Sequence, residues 1–111
     1  MGVDLRIIPA YHGNADFSCT ALECSRDYNF FDHLKLIQEK HGRDVSRKGF
    51  TGYMGDNFKK QDEDAYGNVL QSVQAKNLKR LDLFNDCPTN RAVLAYIKQL
   101  DDDHECFLYW H

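Results

Sequence analysis

Glu105-Cys-Phe-Leu-Tyr-Trp-His111 is the stretch that decides the fold. Its inner residues, Cys106 to Trp110, are apolar or aromatic without a break, the signature of a strand buried on both faces. So dense an apolar run must be held in a sheet, and the matching segment lies far away in sequence. Val3-Asp-Leu-Arg-Ile-Ile-Pro9 alternates Val3, Leu5 and Ile7 against Asp4 and Arg6, the period of a half-buried strand, and Pro9 ends it. Neither segment can stand as an unpaired edge, so the two are expected to pair near the centre of one sheet, in a direction the pattern leaves open.

Between them the chain reads strand, helix, irregular segment, helix, helix. Tyr11-His-Gly-Asn14 is turn chemistry, and Asp16 to Cys24 reads as a second strand forming a hairpin with the first. Phe17, Cys19 and Ala21 share one face and Thr20, Leu22 and Cys24 the other, so either face could be buried. Ser25 and Asp27 are candidate N-caps for a helix from Tyr28 to about His41, with Phe30, Leu34 and Ile37 as its inward stripe and Gly42 closing it. From Arg43 to Asn68 no period holds, although Phe50-Thr-Gly-Tyr-Met54 could be a short strand. Val69 to Val73 reads as a short strand or extended entry. A helix over Gln74–Phe84 with Leu78, Leu81 and Phe84 inward follows, with Lys76, Lys79 and Arg80 outward. A third helix, Asn90 to Leu100, starts near Pro88 and carries Val93, Tyr96, Ile97 and Leu100 as its stripe. The sum is a single α+β domain over residues 1–111. A mostly antiparallel sheet including both terminal strands is packed by about three helices, with a long irregular central loop.

Composition narrows function. The net charge of −3 argues against a nucleic-acid partner, which usually selects a basic surface. The opening carries no basic-plus-apolar leader, and no apolar run approaches a membrane span. Cys19, Cys24, Cys87 and Cys106 include no CxxC pair, so a reduced, cytoplasmic protein is expected.

Motifs of chemistry are sparse. Gly49-Phe-Thr-Gly-Tyr-Met-Gly55 is not followed by the GK[ST] and apolar helix of a phosphate loop. His33 and His41 are too far apart to chelate as a helical i, i+4 pair. His104 beside Asp101, Asp102 and Asp103 is the one local cluster of metal-compatible groups, and a solvated turn explains it better. Asp56, Asn57, Asp62 and Asp64 lack the ligand spacing of a calcium loop. Among the thiols, Cys87 before Pro88 has the most reactive setting, because a helix N-terminus stabilises a thiolate. An enzyme would need His12, His104 or the aspartates to converge. No catalytic set, metal site or cofactor is expected.

Four pieces of the chain carry a resemblance. Gly2-Val-Asp-Leu-Arg-Ile-Ile-Pro9, Ala65-Tyr-Gly67, Asn90-Arg-Ala-Val-Leu-Ala-Tyr96 and Leu108-Tyr-Trp-His111 together resemble small accessory proteins encoded by tailed bacteriophages. The resemblance implies an accessory protein expressed in a bacterial host's cytoplasm, and no particular activity. Non-enzymatic binding of a host protein, or of a second copy of itself, is then the leading expectation. Tyr53, Met54, Phe58 and Tyr66 are the aromatic and sulfur side chains expected to face the partner, since such residues are enriched at interfaces. The alternative is a small-ligand or nucleotide binder using the loop aromatics with Arg47, Lys48 and Lys79. A small metal-dependent enzyme ranks below both.

Overall fold

The computed structural model describes residues 3–9, 21–44, 52–54, 57–59, 63–84 and 87–111, with the backbone alone at 52–54, 57–59 and 82–84. The main sheet has five strands in the order β2-β1-β7-β6-β3: β1 (Leu5–Pro9), β2 (Leu22–Cys24), β3 (Arg43–Asp44), β6 (Gln71–Gln74) and β7 (Glu105–Trp110). Every neighbouring pair is antiparallel, including β1 on β7, where Leu5 opposes Trp110 and Ile8 opposes Phe107. The strand that reads as most buried is the central one, and the expected pairing of the two terminal strands is shown with its direction now fixed.

Register explains the two-sided apolar run. Cys106, Leu108 and Trp110 face the helices together with Leu5 and Ile7, while Phe107 and Tyr109 turn to the opposite face beside Ile8 and Leu70. Of the proposed Asp16–Cys24 strand, Leu22–Cys24 is present as β2, and positions 11–20 lie outside the described residues. Cys24 and Leu22 oppose Leu5 and Ile7, which settles which face of this segment looks inward.

The helices pack on one face. α1 (Tyr28–His41) has the predicted limits. Asp27 caps it by accepting the Phe30 N–H, and Phe30, Phe31 and Leu34 are buried. Gly42 closes the helix in extended backbone, not in the left-handed region a C-terminal glycine often supplies. Its glycine is required by proximity: a Cβ there would collide with the Gln38 carbonyl oxygen and sit 2.9 Å from Gln71 Oε1.

Two helices depart from expectation. The Gln74–Phe84 segment is a short α2 (Ala75–Leu78) that tightens into a 3₁₀ helix (Lys79–Phe84). Leu78, Leu81 and Phe84 are spaced three apart, which is the period of a 3₁₀ turn. α3 (Pro88–Lys98) begins at the expected proline, but its inward stripe is Asn90, Val93, Leu94 and Ile97. Tyr96, expected inward, is 47% exposed. The buried Asn90 side chain explains the rotation. Its Oδ1 accepts the Ser25 N–H at 2.8 Å and its Nδ2 donates to the Ser25 carbonyl at 3.0 Å, clamping the end of β2 onto α3.

The irregular central region is partly ordered into strands. β3 pairs with β6, and β4 (Gly52–Met54) forms a separate antiparallel hairpin with β5 (Asn57–Lys59).

Candidate functional site

A groove of about 550 Å³ opens between the outer side of α1 and the turn that leads into β6. Trp110 forms its floor, Lys35, Gln38 and Glu39 of α1 one wall, and Asp64, Tyr66, Asn68 and Val69 the other. Val3 and Gln71 complete it.

The turn is built by its own sequence. Asp64 Oδ1 accepts the N–H groups of Tyr66 (2.9 Å) and Asn68 (3.1 Å), the aspartate-turn arrangement that short acidic side chains favour. Gly67 sits at φ +80°, where a side chain would be strained. Glu63 bridges Val69 across the turn, and the Ala65 N–H donates to the Trp110 carbonyl at 3.1 Å. That last bond ties the turn to the end of the central strand. Tyr66 and Val69 are thereby held on the groove's rim, 53% and 47% exposed.

The floor is fixed by a directed chain of hydrogen bonds. Trp110 Nε1 donates to Gln38 Oε1 (2.8 Å), Gln38 Nε2 to Gln71 Oε1 (2.9 Å), and Gln71 Nε2 to Asp44 Oδ1 (3.0 Å). An indole can only donate and a carboxylate only accept, so the two ends dictate how both amides are turned. The Phe31 ring meets Trp110 edge-on, with centroids 5.4 Å apart, the favoured geometry for two quadrupoles. Lys35 Nζ lies 5.2 Å from the centroid of the Trp110 ring. The indole is 6% exposed beneath it.

Of the partner-facing residues named from sequence, Tyr66 stands on this groove. Tyr53 and Met54 lie on β4 and Phe58 on β5, where Tyr53 opposes Phe58. Arg47 and Lys48 lie outside the described residues. Lys79 is engaged within the fold: its ammonium donates to the Leu100 carbonyl (2.7 Å) and to Asp102 Oδ1 (2.8 Å). This pairing holds the Asp102 carboxyl below the usual carboxylate range. Arg26 does the same for Asp4 through two bonds of 2.7 and 3.0 Å.

The remaining chemistry-bearing groups are dispersed. No group of three or more His, Cys, Asp or Glu side chains among the described residues could hold a metal ion. His104 sits in the turn before β7, and His12 lies outside the described residues. Burial pushes the Cys24 and Cys106 thiols up to about 12. Cys87 goes the other way, lowered chiefly by the Asn90 N–H at the start of α3. Sequence reading places Trp110 in a buried strand and singles out none of Lys35, Gln38 and Glu39. Their only signal was an i, i+3, i+4 polar set on α1, which by itself names no site.

No family model, curated protein or solved structure shows significant similarity to this chain. No helix among the described residues is long and apolar enough to cross a membrane.

Proposed function

We propose that this chain is a non-enzymatic binding factor, of the phage accessory kind its sequence resembles, that engages a host protein through the groove above Trp110. The observation that carries this reading is the pair of half-exposed apolar side chains, Tyr66 and Val69, held by backbone bonds beside a fixed aromatic floor. Partner anchors of this kind dominate interface energetics when they can enter a preformed recess. The polar groups around the floor are satisfied by one another, which suits a surface that keeps its shape and presents a contact.

The test is affinity capture from bacterial lysate with quantitative mass spectrometry, comparing the wild type with Tyr66→Ala and Val69→Ser. Both positions are exposed, so neither substitution should lower Tm by more than about 2 °C. A protein enriched by the wild type and depleted at least tenfold by both variants supports the reading. Equal capture by all three overturns it.

The groove's volume supports a second reading, because small-ligand sites commonly span about 300–1,000 Å³. A thermal-shift screen with nucleotides separates the two. A ligand at 100 times its dissociation constant adds about 2.7 kcal/mol of stability, visible as a clear rise in Tm.

A further inference from the structure

We propose that the groove is a cation site which the free protein fills with its own Lys35, and that the partner segment it receives presents an arginine. This rests on the binding function proposed above and names the chemistry of what is bound. The Trp110 ring stands perpendicular to Phe31 and donates from its nitrogen to Gln38, and Lys35 Nζ stands over the ring at 5.2 Å. A cation over an indole face is attracted by the ring quadrupole, and tryptophan offers the strongest such face.

The walls add unbalanced negative charge. Glu39 and Asp64 both line the groove, and neither forms an ion pair with a described residue. Asp64 spends one carboxylate oxygen, Oδ1, on backbone N–H groups. Glu39 lies one helical turn beyond Lys35, at the spacing where an ion pair would form, yet the lysine head group is over the ring. Lys35 is one positive charge against two negative ones, so the filled groove still attracts a cation. Arginine is the side chain that improves on lysine here. Its planar guanidinium stacks on an indole, sheds water more readily than an ammonium, and can pair with a carboxylate through two N–H groups at once. Apolar residues flanking it would meet Tyr66 and Val69. Lys35 is attached by a flexible stem on an exposed helix face, and it can move aside into solvent.

Trp110 is the chain's sole tryptophan, so the indole emission comes from the groove with no second tryptophan contributing. The full chain is titrated with Ac-Ala-Val-Arg-Val-Ala-amide and with counterparts carrying Gln or Glu in place of Arg. A saturable change with the arginine peptide is expected, at least tenfold weaker with Gln and undetectable with Glu. Glu39→Gln should weaken the arginine peptide about threefold or more. Lys35→Ala removes the internal competitor and should strengthen it about two- to fivefold, the scale of an exposed cation–π contact. Circular dichroism checks that both helix-surface variants are folded.

Equal binding of the Arg and Gln peptides, no response to the arginine peptide at millimolar concentration, or weaker binding by Lys35→Ala each overturns the proposal. Those outcomes leave the capture experiment with Tyr66 and Val69 standing on its own. Loss of partner capture in that experiment, together with a peptide that shows no arginine preference, would mean a groove that binds without reading charge.

Discussion

The hydrogen-bond chain from Trp110 to Asp44 makes a graded prediction about stability. In Gln38→Ala the Trp110 N–H loses its acceptor and Gln71 Oε1 loses its donor. A neutral hydrogen bond contributes about 0.5–1.5 kcal/mol net, and a buried donor left without a partner costs about 1–3 kcal/mol. Trp110 is 6% exposed, so its N–H falls toward the costly end, whereas Gln71 is half-buried and water can replace part of its loss. The expected total is about 2–3 kcal/mol, a fall in Tm of roughly 8–12 °C for a domain of this length. Gln38→Leu should lose nearly as much, because it restores bulk and leaves the indole unpaired. Asp44→Ala, at the exposed end of the chain, should cost under about 1 kcal/mol. Urea unfolding followed by Trp110 emission measures all three. A cost below about 0.5 kcal/mol for Gln38→Ala, or a cost for Asp44→Ala equal to that for Gln38→Ala, would refute this graded chain.

Four further outcomes are expected. Gly42→Ala should destabilise by about 1–3 kcal/mol through overlap with the Gln38 carbonyl, and its effect should not add to that of Gln38→Ala, since both disturb the same residue; calorimetry of the single and double variants checks this. Alkylation at pH 7.5 followed by peptide mass spectrometry should label Cys87 well before Cys24 or Cys106, which should react only on unfolding. The same two buried thiols have folded values raised from 9.0 to about 12, so their stabilisation is complete below pH 9 and is lost as pH climbs toward 12, which a Tm series in alkaline buffers will show. Asp102 has the opposite sign. Its lowered folded value gives stability that is present above the ordinary carboxylate value of 3.8 and lost as pH falls through the folded one, so Asp102→Asn should flatten the acid limb of the Tm profile.

The parts of the fold that could be read from sequence are those governed by one strong local pattern. The unbroken apolar run of β7 announced burial on both faces, and Asp27 with the Phe30–Leu34 stripe delimited α1. The structure departs from the sequence pattern where a single residue serves two rules. Asn90 is polar and falls outside any apolar stripe, yet it is buried because it satisfies both backbone groups of Ser25, with Leu94 inward and Tyr96 outward. The segment after Gln74 reads as an α-helix, yet Leu78, Leu81 and Phe84 recur every third position and its second half is a 3₁₀ helix. β3 is two residues long and polar, and only its partner β6 makes it a strand. The groove was illegible for a related reason. Tyr66 could be singled out by type, but its relation to Lys35, Glu39 and Trp110 exists only after β7, α1 and the Asp64–Val69 turn have met.

The order of strands in the main sheet also bears on how the chain reaches its fold. β1 and β6 are neighbours of β7 and not of each other. While the polypeptide is being made, β1 and β6 emerge before the strand that joins the two halves of the sheet. Until residues 105–110 emerge, β1 and β6 each display an open row of N–H and C=O groups beside exposed apolar side chains. Closure then requires contacts between distant parts of the sequence, the kind that slows folding relative to a helical bundle. The nascent protein is therefore most vulnerable to aggregation, and most in need of a chaperone, just before its last described strand arrives.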